Sequence, residues 1–582
     1  MAFRPYKILW GGAVALLHRS RRIDWIDILL ILAFLGLVYG VIGLAQRWTG
    51  QLRPAIEIDL SPSALPKYTL FSLSRGLIAY GLSLAFTLVY GYWAAHDSAA
   101  RRILIPLLDI LQSIPVLGFM PGLIIALAAL FPHSNFGLEL ASVIMIFTGQ
   151  VWNMTFSFYH SLRSVPKDQL EAAAIYGFNW RQRLRWVELP FSTMSLVWNS
   201  MMSMAGGWFF LMINEAFVLG NHDFRLPGLG SYMSVAVARG DGHAMILAIL
   251  SMILMIVFLD QILWRPVVAW AQKFKVEEGG QGEQVSSWFL NWLRRSQLLR
   301  WLEEAGEKFR SFVKSGKGGK KLVPVTNGGM KPKTTHRVSL LLIAVMVIAM
   351  ILGAWRLFHI LAGESLQGWV RVTMDGGMTL GRVLMSTIAG TIWALPLGLG
   401  IGLSPRASRL FQPVVQILAS FPAPMLFPAV IALLALLKIS LGWGSIVLML
   451  LGTQWYILFN VIAGAMAIPA DLREAARSFQ IAGWRKFTKI YFPAVFPYLV
   501  TGWVTAAGGA WNASIVAEFV TYKGRVMATS GLGARISQAA ASANFPDLAA
   551  SILIMSIFVV TFNRSVWRRL YLMAEERFSV GT

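Results

Sequence analysis

Residues Gly149–Pro190 read GQVWNMTFSFYHSLRSVPKDQLEAAAIYGFNWRQRLRWVELP, and residues Thr453–Pro493 read TQWYILFNVIAGAMAIPADLREAARSFQIAGWRKFTKIYFP. Both stretches run from an apolar segment through a proline and a Glu-Ala-Ala triplet to a basic, aromatic segment and a second proline. The matching residues lie about 303 positions apart: Pro166 with Pro469, Asp168 with Asp471, Glu171 with Glu474, and Pro190 with Pro493. Such self-similarity predicts a chain built from two related structural repeats.

The repeat continues on both sides of these two stretches. Upstream, SIPVLGFMPGLIIALAAL resembles SFPAPMLFPAVIALLALL, and downstream Glu215 matches Glu518 and PGLGS matches SGLGA. Between the copies lies a segment with Gly-rich and Lys-rich pieces, EEGGQGEQ and KSGKGGKK. We therefore predict a first repeat over residues 1–265, a basic cytoplasmic linker over 266–337 and a second repeat over 338–582.

The composition of the 582 residues places the chain in a membrane. Hydrophobic residues make up 56% and charged residues 14%, whereas about 25% of an ordinary soluble domain is charged. The net charge of +23 is concentrated in short loops and the linker, which favours a topological signal over nucleic-acid binding. The sequence has no cysteine, which excludes disulfides and thiolate metal sites.

Twelve uncharged runs come close to the length of about 20 residues that a helix needs to cross a bilayer. We predict an all-α integral membrane protein with about 12 transmembrane helices, arranged as two parallel six-helix repeats. The predicted spans are Ile28–Gln46, Gly76–Ala95, Ile110–Pro132, Leu140–Tyr159, Leu189–Asn214 and Ala244–Leu259 in the first repeat, and Val338–Trp355, Val383–Pro405, Leu410–Leu437, Ile439–Ala470, Ile490–Ala517 and Leu548–Asn563 in the second.

The distribution of Lys and Arg orients these spans. They are more frequent in the segments that lie on the side of the N-terminus, the linker and the C-terminus, which predicts that all three are cytoplasmic. Because each repeat has an even number of spans, the repeats are parallel. Within the linker, SSWFLNWLRRSQLLRWLEEAGEKFRSF has helical spacing and suits a helix on a membrane surface. A helix packed on a partner, or a partly disordered segment, is the alternative.

The loop between the fourth and fifth spans resembles the EAA loop of permeases from bacterial binding-protein-dependent ABC importers. Its pattern in the first copy is formed by Glu171, Ala172, Ala173, Gly177, Val187, Leu189 and Pro190. The second copy has Glu474, Ala475, Ala476, Ile490 and Pro493, but Gln480 stands at the glycine position and Phe492 before the proline. That departure puts the local turn in doubt. The Pro-rich third span and the Gly-Leu-Gly segment resemble the nitrate, sulfonate, taurine and bicarbonate branch.

This resemblance implies a permease fold of the type I importer class in a bacterial inner membrane, with both permease domains fused in one chain. It implies two ATPase subunits, one docked on each EAA loop, and a periplasmic or lipid-anchored substrate-binding protein. ATP and Mg would then be bound by the partner subunits, and the chain itself would need no cofactor and catalyse no reaction. By resemblance alone, the solute is a small anion such as nitrate, bicarbonate, a sulfonate or taurine.

Several residues are candidates for the pathway. Glu215 and Glu518 end the fifth and eleventh spans, where they could shape a gate or meet the binding protein, or simply face water. Pro115, Pro121, Pro422, Pro424 and Pro428 should bend or break their helices. Polar side chains of the fourth and tenth spans line a pathway or bond neighbouring helices; these are Gln150, Trp152, Asn153, Gln454 and Trp455.

Two other classes of protein share parts of this pattern. A secondary carrier with six plus six spans has the same topology, but it usually needs intramembrane carboxylates or histidines, which the uncharged runs lack. A membrane scaffold explains the basic linker but needs no duplicated loop. The sequence contains no G-x-x-x-x-G-K-[ST] motif for ATP. Its histidines lie scattered at loop edges, so we predict neither a catalytic nor a metal site.

Overall fold

The computed structural model of the chain describes residues 56–219, 222–274, 287–293, 333–522 and 524–578, with a few isolated residues between 28 and 48. The chain divides into two units. Met1–Gln46 and Gln284–Gly328 form one unit, in which the described helix is α11 (Trp288–Leu293). Arg47–Glu283 and Gly329–Thr582 form the other unit, which contains both sequence repeats. Apart from a few isolated residues, the predicted first span lies outside the described residues, as does most of the predicted linker helix.

The first repeat is helical apart from one hairpin. Its elements are α1 (Leu65–His96), α2 (Ser98–Ser113), α3 (Val116–Leu130), α4 (Phe136–Arg163), α5 (Lys167–Ile175), α6 (Trp180–Arg183), α7 (Leu189–Asn214), β1 (Ala216–Leu219), β2 (His222–Arg225), α8 (Leu229–Arg239), α9 (Gly242–Leu259) and α10 (Arg265–Ala271).

The second repeat follows the same order. Its elements are α12 (Lys333–Leu361), α13 (Leu366–Gly402), α14 (Pro405–Ser420), α15 (Phe427–Leu436), α16 (Leu441–Met466), α17 (Ala470–Ser478), α18 (Gly483–Lys486), α19 (Phe492–Ala517), β3 (Phe519–Tyr522), β4 (Arg525–Ala528), α20 (Leu532–Ala541), α21 (Phe545–Phe562) and α22 (Arg568–Phe578).

The described residues contain 8 helices long and apolar enough to cross a membrane, or up to 10 when each of two bent helix pairs counts as one span. Helix α4, with 28 residues, contains the predicted fourth span. Polar residues such as Gln150 and Asn153 make this span less hydrophobic. The prediction of an all-α membrane protein with two repeats is therefore confirmed. The exact domain boundaries stay a prediction.

The third and ninth predicted spans are each broken into two helices. Helices α2 and α3 meet at 97°, and the corresponding pair in the second repeat, α14 with the segment Ala423–Leu436, meets at 83°. The breaks fall at Pro115 and Pro422, which both have extended backbones. Proline lacks the N–H that would continue the helix. The breaks predicted at these two prolines are therefore present, whereas Pro121 lies inside α3, which continues through it.

Both repeats contain π-helical turns at matching places. One precedes the fifth span, at Leu184–Glu188 and Phe487–Tyr491, and one follows the sixth, at Asp260–Trp264 and Asn563–Trp567. Within each repeat, the fourth span packs against the fifth span and against the helix of the second span, which is α1 in the first repeat and α13 in the second. Between repeats, α3 packs on α19 and α21, and α14 packs on α7 and α9. Each broken pair therefore belongs to the contact between the repeats.

A short hairpin and a short helix follow the fifth span in each repeat, and neither is among the predicted elements. Strands β1 and β2 pair antiparallel, with Ala216 opposite Arg225, and β3 and β4 pair with Phe519 opposite Ala528. Each hairpin also contacts a helix of the other repeat: α20 contacts β1, and α8 contacts β3. Since α7 and α19 run from the EAA loops to the hairpins, the two features lie at opposite ends of the bundle.

Candidate functional site

The first EAA loop is a short helix followed by a left-handed turn. In α5, Ala173 is buried while Glu171 and Ala172 are exposed. The Gly177 backbone has a φ of 64°, which glycine adopts without steric cost. This turn lets the Phe178 N–H donate to the Ala173 carbonyl at 2.9 Å. The small buried alanine allows close packing, and the glutamate remains on the open face.

The second EAA loop has the same backbone despite its different residue at the turn. Gln480 has a φ of 52°, and the Ile481 N–H donates to the Ala476 carbonyl at 2.9 Å. Ala476 is buried and Glu474 is exposed, as in the first loop. The doubt about this turn is therefore resolved: Gln480 keeps the left-handed conformation, at a cost of about 1–2 kcal/mol for a side chain there.

A cavity of about 330 Å³ lies under the first EAA loop. Its walls combine the EAA helix, the start of the fifth span and the end of the sixth, and include Ala172, Ala173, Tyr176, Trp186, Pro190 and Phe274. Large apolar side chains stay exposed around both loops, among them Ile175, Tyr176, Trp180, Trp186, Phe479 and Trp484. An exposed group of this size is typical of a surface that another protein covers.

The two EAA loops differ in how they are tied down. In the first, Asn179 and Gln182 form a reciprocal capping box, with both hydrogen bonds at 2.9 Å. Ala482 takes the place of Asn179 in the second and has no side chain to cap α18.

The charged side chains between each EAA helix and the following fifth span differ as well. In the first loop, Glu188 lies 2.9 Å from His96 and 2.8 Å from Arg183, the latter a charge contact without hydrogen-bond geometry. In the second, Lys486 instead lies over the Tyr491 ring at 5.2 Å. The first loop is therefore held by polar contacts of its basic segment, whereas in the second Arg473 of α17 donates to the Ile468 carbonyl at 2.8 Å.

A second cavity, of about 290 Å³, lies between the two repeats. The fourth and fifth spans of both repeats line it, together with the breaks in α2–α3 and α14–α15. A hydrogen bond joins the two repeats at this place: the backbone N–H of Val116, directly after the first break, donates to the Asn512 side chain, at 2.8 Å from Oδ1. The cavity is therefore shaped jointly by the two repeats.

Some of the predicted pathway residues line this cavity and others do not. Trp152, Asn153 and Pro422 line it. Gln150 is buried beside it, with Nε2 3.5 Å from Met204 Sδ. The remaining candidates are not among its lining residues: Pro115, Pro121, Glu215, Pro424, Pro428, Gln454, Trp455 and Glu518.

Seven polar lining residues are absent from the predictions: Gln112, Thr148, Thr453, Tyr456, Thr505, Asn512 and Asn563. The offset of about 303 residues that relates Asn153 to Tyr456 could have found one of them.

Glu215 is the centre of a buried ionic cluster at the hairpin end of the first repeat. The Arg75 guanidinium lies 2.7 Å from Glu215 and 2.5 Å from Glu139. Glu215 also accepts a hydrogen bond from the Gly230 N–H at 2.7 Å, and Ser72 joins it to the Leu229 N–H. Glu215 thus does not face water; it fixes the start of α8 against α1.

Glu518 holds the second repeat in the same way. It lies 2.8 Å from the Arg382 guanidinium and accepts from the Gly533 N–H at 2.9 Å. Thr379 takes the place of Ser72, donating to Glu518 and accepting from the Leu532 N–H at 2.8 Å. Both Gly-Leu-Gly segments therefore begin their helices on a buried carboxylate.

Neither arginine is among the predicted site residues. Both lie directly before an uncharged run, which makes them look like the charged flank of a span. Yet SLSRG at Arg75 and TLGRV at Arg382 are matching segments of the two repeats. The sequence signal that could have identified these arginines is a basic residue repeated at the edge of two apolar helices.

Beyond the hairpin in the second repeat, Arg535 joins α20 to two neighbouring helices, 2.7 Å from Asp547 and 3.2 Å from Asp375. Burial opposes its charge, but the hydrogen bonds and charges of the two aspartates raise the pKa of Arg535 above its usual value. It therefore stays protonated and helps to hold the hairpin end together.

These features together define a multi-pass membrane permease, with two repeats around a shared cavity and one EAA loop on each repeat. Comparison with known families agrees with this class. The family described as "Binding-protein-dependent transport system inner membrane component" matches residues 87–263 and 387–568, which is more than half of the chain. The chain belongs to this family, and it contains the family's domain twice.

Individual relatives point to one branch of that family. The chain is similar to the nitrate import permease protein NrtB of Leptolyngbya laminosa, with 30% identity over 25% of this chain and 50% of the relative. It is 31% identical to the bicarbonate transport system permease protein CmpB of Synechocystis sp., over 24% and 49%. The taurine transport system permease protein TauC of Escherichia coli is 23% identical, over 33% and 67%. The chain thus spans about half the length of the first two relatives.

Proposed function

We propose that this chain supplies both transmembrane halves of an ATP-driven importer for a small anion and works by alternating access. The duplicated EAA loop is the observation that carries the proposal. Two loops with one backbone geometry lie at the same end of the bundle, and each is joined directly to a fifth span that lines the central cavity. A force on either loop would reach the cavity through a continuous helix.

The exposed surface of the loops supports two ATPase partners. Each loop presents a glutamate to solvent beside large apolar side chains, Tyr176 and Trp186 in one and Phe479 and Trp484 in the other. Two such surfaces on one chain suit two ATPase subunits, which would bind ATP and Mg. The chain then performs no covalent chemistry and forms only the pathway.

The orientation follows from charge. With the basic EAA loops in the cytoplasm, the hairpin end faces outward, where a substrate-binding protein would deliver the solute. We place the chain in a bacterial inner membrane with both termini in the cytoplasm. The matches to nitrate, bicarbonate and taurine permeases support a small anion as the solute.

Charge reversal in the loops tests this proposal. The variant with Glu171→Arg and Glu474→Arg should retain less than a tenth of the ATPase that co-purifies with the chain, because both docking surfaces change sign. Glu57→Arg, an exposed glutamate near the hairpin end, is the matched control and should recover the normal amount. Normal ATPase recovery by the double variant, with unchanged elution in size-exclusion chromatography, would overturn the proposal.

A further inference from the structure

Glu188 is a buried carboxylate at the junction between the first EAA loop and the fifth span. Its side chain is 3% exposed, and its Oε1 atom lies 2.9 Å from His96 Nε2 and 2.8 Å from Arg183 Nε. Within the described part of the chain, Oε2 has no hydrogen-bond partner. The carboxylate therefore depends on the hydrogen bond with His96, which ties the base of the fifth span to the end of α1.

Both ring nitrogens of His96 face oxygen atoms that accept hydrogen bonds. Nε2 faces Glu188, and Nδ1 lies 3.0 Å from the carbonyl oxygen of Tyr92. A neutral imidazole has one donor and one acceptor nitrogen, whereas an imidazolium has two donors. The two contacts are thus favourable together only when the pair holds an additional proton. Because the Arg183 cation lies beside the carboxylate, that proton belongs on the ring rather than on Glu188.

Charges of both signs surround the His96 ring. Arg101 donates to the two carbonyls that precede the end of α1, at 3.4 and 3.5 Å. The two arginines oppose a positive charge on the ring, and the two carboxylates favour it. The side chain is 26% exposed, so it exchanges protons with water, and histidine is the side chain that changes its charge between about pH 5 and 8. The titratable and charged groups around the ring are Glu188 and Arg183 on the EAA side, Tyr92 and Asp97 beside it in the chain, Arg101 on α2 and Tyr159 on α4.

The second repeat has neither member of this pair. Leu403 stands at the position of His96, and Tyr491 stands at the position of Glu188. These matches follow from the alignment of SLSRG with TLGRV and of ELP with YFP. The second EAA loop is therefore an internal reference, because it has the same backbone as the first loop but not this contact.

We propose that His96 and Glu188 form a pH-sensitive switch, which ties the first EAA loop to α1 while the ring is protonated and releases it as the pH rises. A neutral ring that keeps its Nδ1–H on the Tyr92 carbonyl turns a lone pair toward Glu188. A buried carboxylate without a donor is unfavourable. The contact is therefore present at low pH and lost at high pH.

The consequence for transport rests on the function proposed above. A tied loop passes a movement of the ATPase to the second span as well as to the fifth, whereas a released loop passes it to the fifth span alone. Coupling through the first repeat should thus weaken as the cytoplasm becomes alkaline, and coupling through the second repeat should not change.

The test is hydrogen exchange with mass spectrometry on the full chain in nanodiscs, without an ATPase. The exchange protection of residues 176–188 is divided by that of residues 479–491 at each pH, so that the general effect of pH on amide exchange cancels. The ratio should fall about tenfold between about pH 6 and about pH 8.5, because a charged hydrogen bond to a buried carboxylate is lost.

Four variants separate the switch from other effects of pH. His96→Arg keeps a charged donor, so the ratio should stay high at every pH. His96→Leu, which introduces the residue of the second repeat, should keep it low at every pH. Glu188→Gln can donate to a neutral ring and should also remove the pH dependence. His160→Leu is the matched control and should retain it, because that ring lies against Tyr159, at 5.1 Å, rather than against Glu188.

Two results would overturn the inference. One is a ratio that does not change with pH in the unaltered chain, and the other is an unchanged pH dependence in His96→Leu. Recovery of the ATPase is measured separately, so a failed switch leaves the importer proposal standing. A chain that recovers no ATPase can still show the switch, because the exchange experiment needs no partner.

Discussion

The hairpin ends of the two repeats are fixed by the same contact made with different numbers of charges. In the first repeat, Arg75 lies between two buried carboxylates, Glu139 and Glu215, and its side chain is 0% exposed. In the second, Glu518 is the one described carboxylate that pairs with Arg382, whose side chain is 13% exposed. Gly442, about 303 residues after Glu139, stands where the second carboxylate would be.

The difference separates the essential part of the contact from the variable part. Both repeats keep a carboxylate that joins an arginine to the amides of a Gly-Leu-Gly segment. The second repeat omits Glu139, and the neutral Thr529 hydroxyl, 3.1 Å from Arg382 Nη2, accepts a hydrogen bond from its arginine instead. We conclude that the shared carboxylate fixes the hairpin end, whereas the additional one neutralises an arginine that is fully removed from water.

Removing the arginines should lower the free energy of unfolding more than any other change proposed here. The loss should be greater in the first repeat than in the second. Arg75→Ala leaves two buried carboxylates without a cation, which should lower the free energy of unfolding by about 3–5 kcal/mol. Arg382→Ala leaves one and should cost less. Chemical unfolding in detergent, followed by tryptophan fluorescence, measures both, with exposed Arg371→Ala as the control. Equal losses at the two sites would contradict the comparison.

Neutralising the shared glutamates should reverse that ranking. After Glu215→Gln, Arg75 keeps Glu139 as its counter-charge, but after Glu518→Gln, Arg382 has no carboxylate in its cluster. We expect the second variant to lose about 1–3 kcal/mol and the first to lose less, in the same unfolding assay. A greater loss for Glu215→Gln would show that Glu139 does not compensate.

Gly442→Glu tests whether the missing carboxylate can be restored. An added Cβ there would lie 3.9 Å from Arg382 Nη2 and 3.4 Å from Thr529 Oγ1, so the new side chain can reach the arginine. The single variant should raise stability by about 1 kcal/mol, because it adds a counter-charge and also removes an unfavourable helical glycine. Combined with Glu518→Gln, it should recover more than this single gain. Strictly additive effects in this double-mutant cycle would disprove the restoration.

The smallest effect concerns the turns of the EAA loops. Gln480→Gly should stabilise the second loop by about 1 kcal/mol, because glycine adopts its left-handed backbone without strain. The reciprocal Gly177→Gln should destabilise the first loop by a similar amount. Hydrogen exchange at the Ile481 and Phe178 amides reports the local change. Unaltered exchange in both variants would mean that the turn residue is energetically unimportant.

The repeats, the helices and the two proline breaks were predictable because they depend on local patterns such as long apolar runs and missing N–H groups. The cavity was only partly predictable, because the face that a helix turns inward depends on its rotation in the bundle. Thr453 and Tyr456 line the cavity where Gln454 and Trp455 were predicted.

The arginine clusters escaped prediction for a different reason. Each one depends on contacts between residues far apart in sequence, such as Arg75 with Glu139 and Glu215. A scan for uncharged runs discards charged residues at the edges of those runs. Pairing across a helix bundle cannot be read from one segment alone.

The most direct test of the central claim is the subunit composition of the complex that the chain forms. The chain should be purified from native membranes in nanodiscs, and the co-purifying proteins quantified by mass spectrometry together with ATPase activity. Two ATPase subunits per chain, with vanadate-sensitive ATP hydrolysis, are the predicted result. A chain that carries no ATPase and still moves solute across liposomes would contradict the account and identify a secondary carrier.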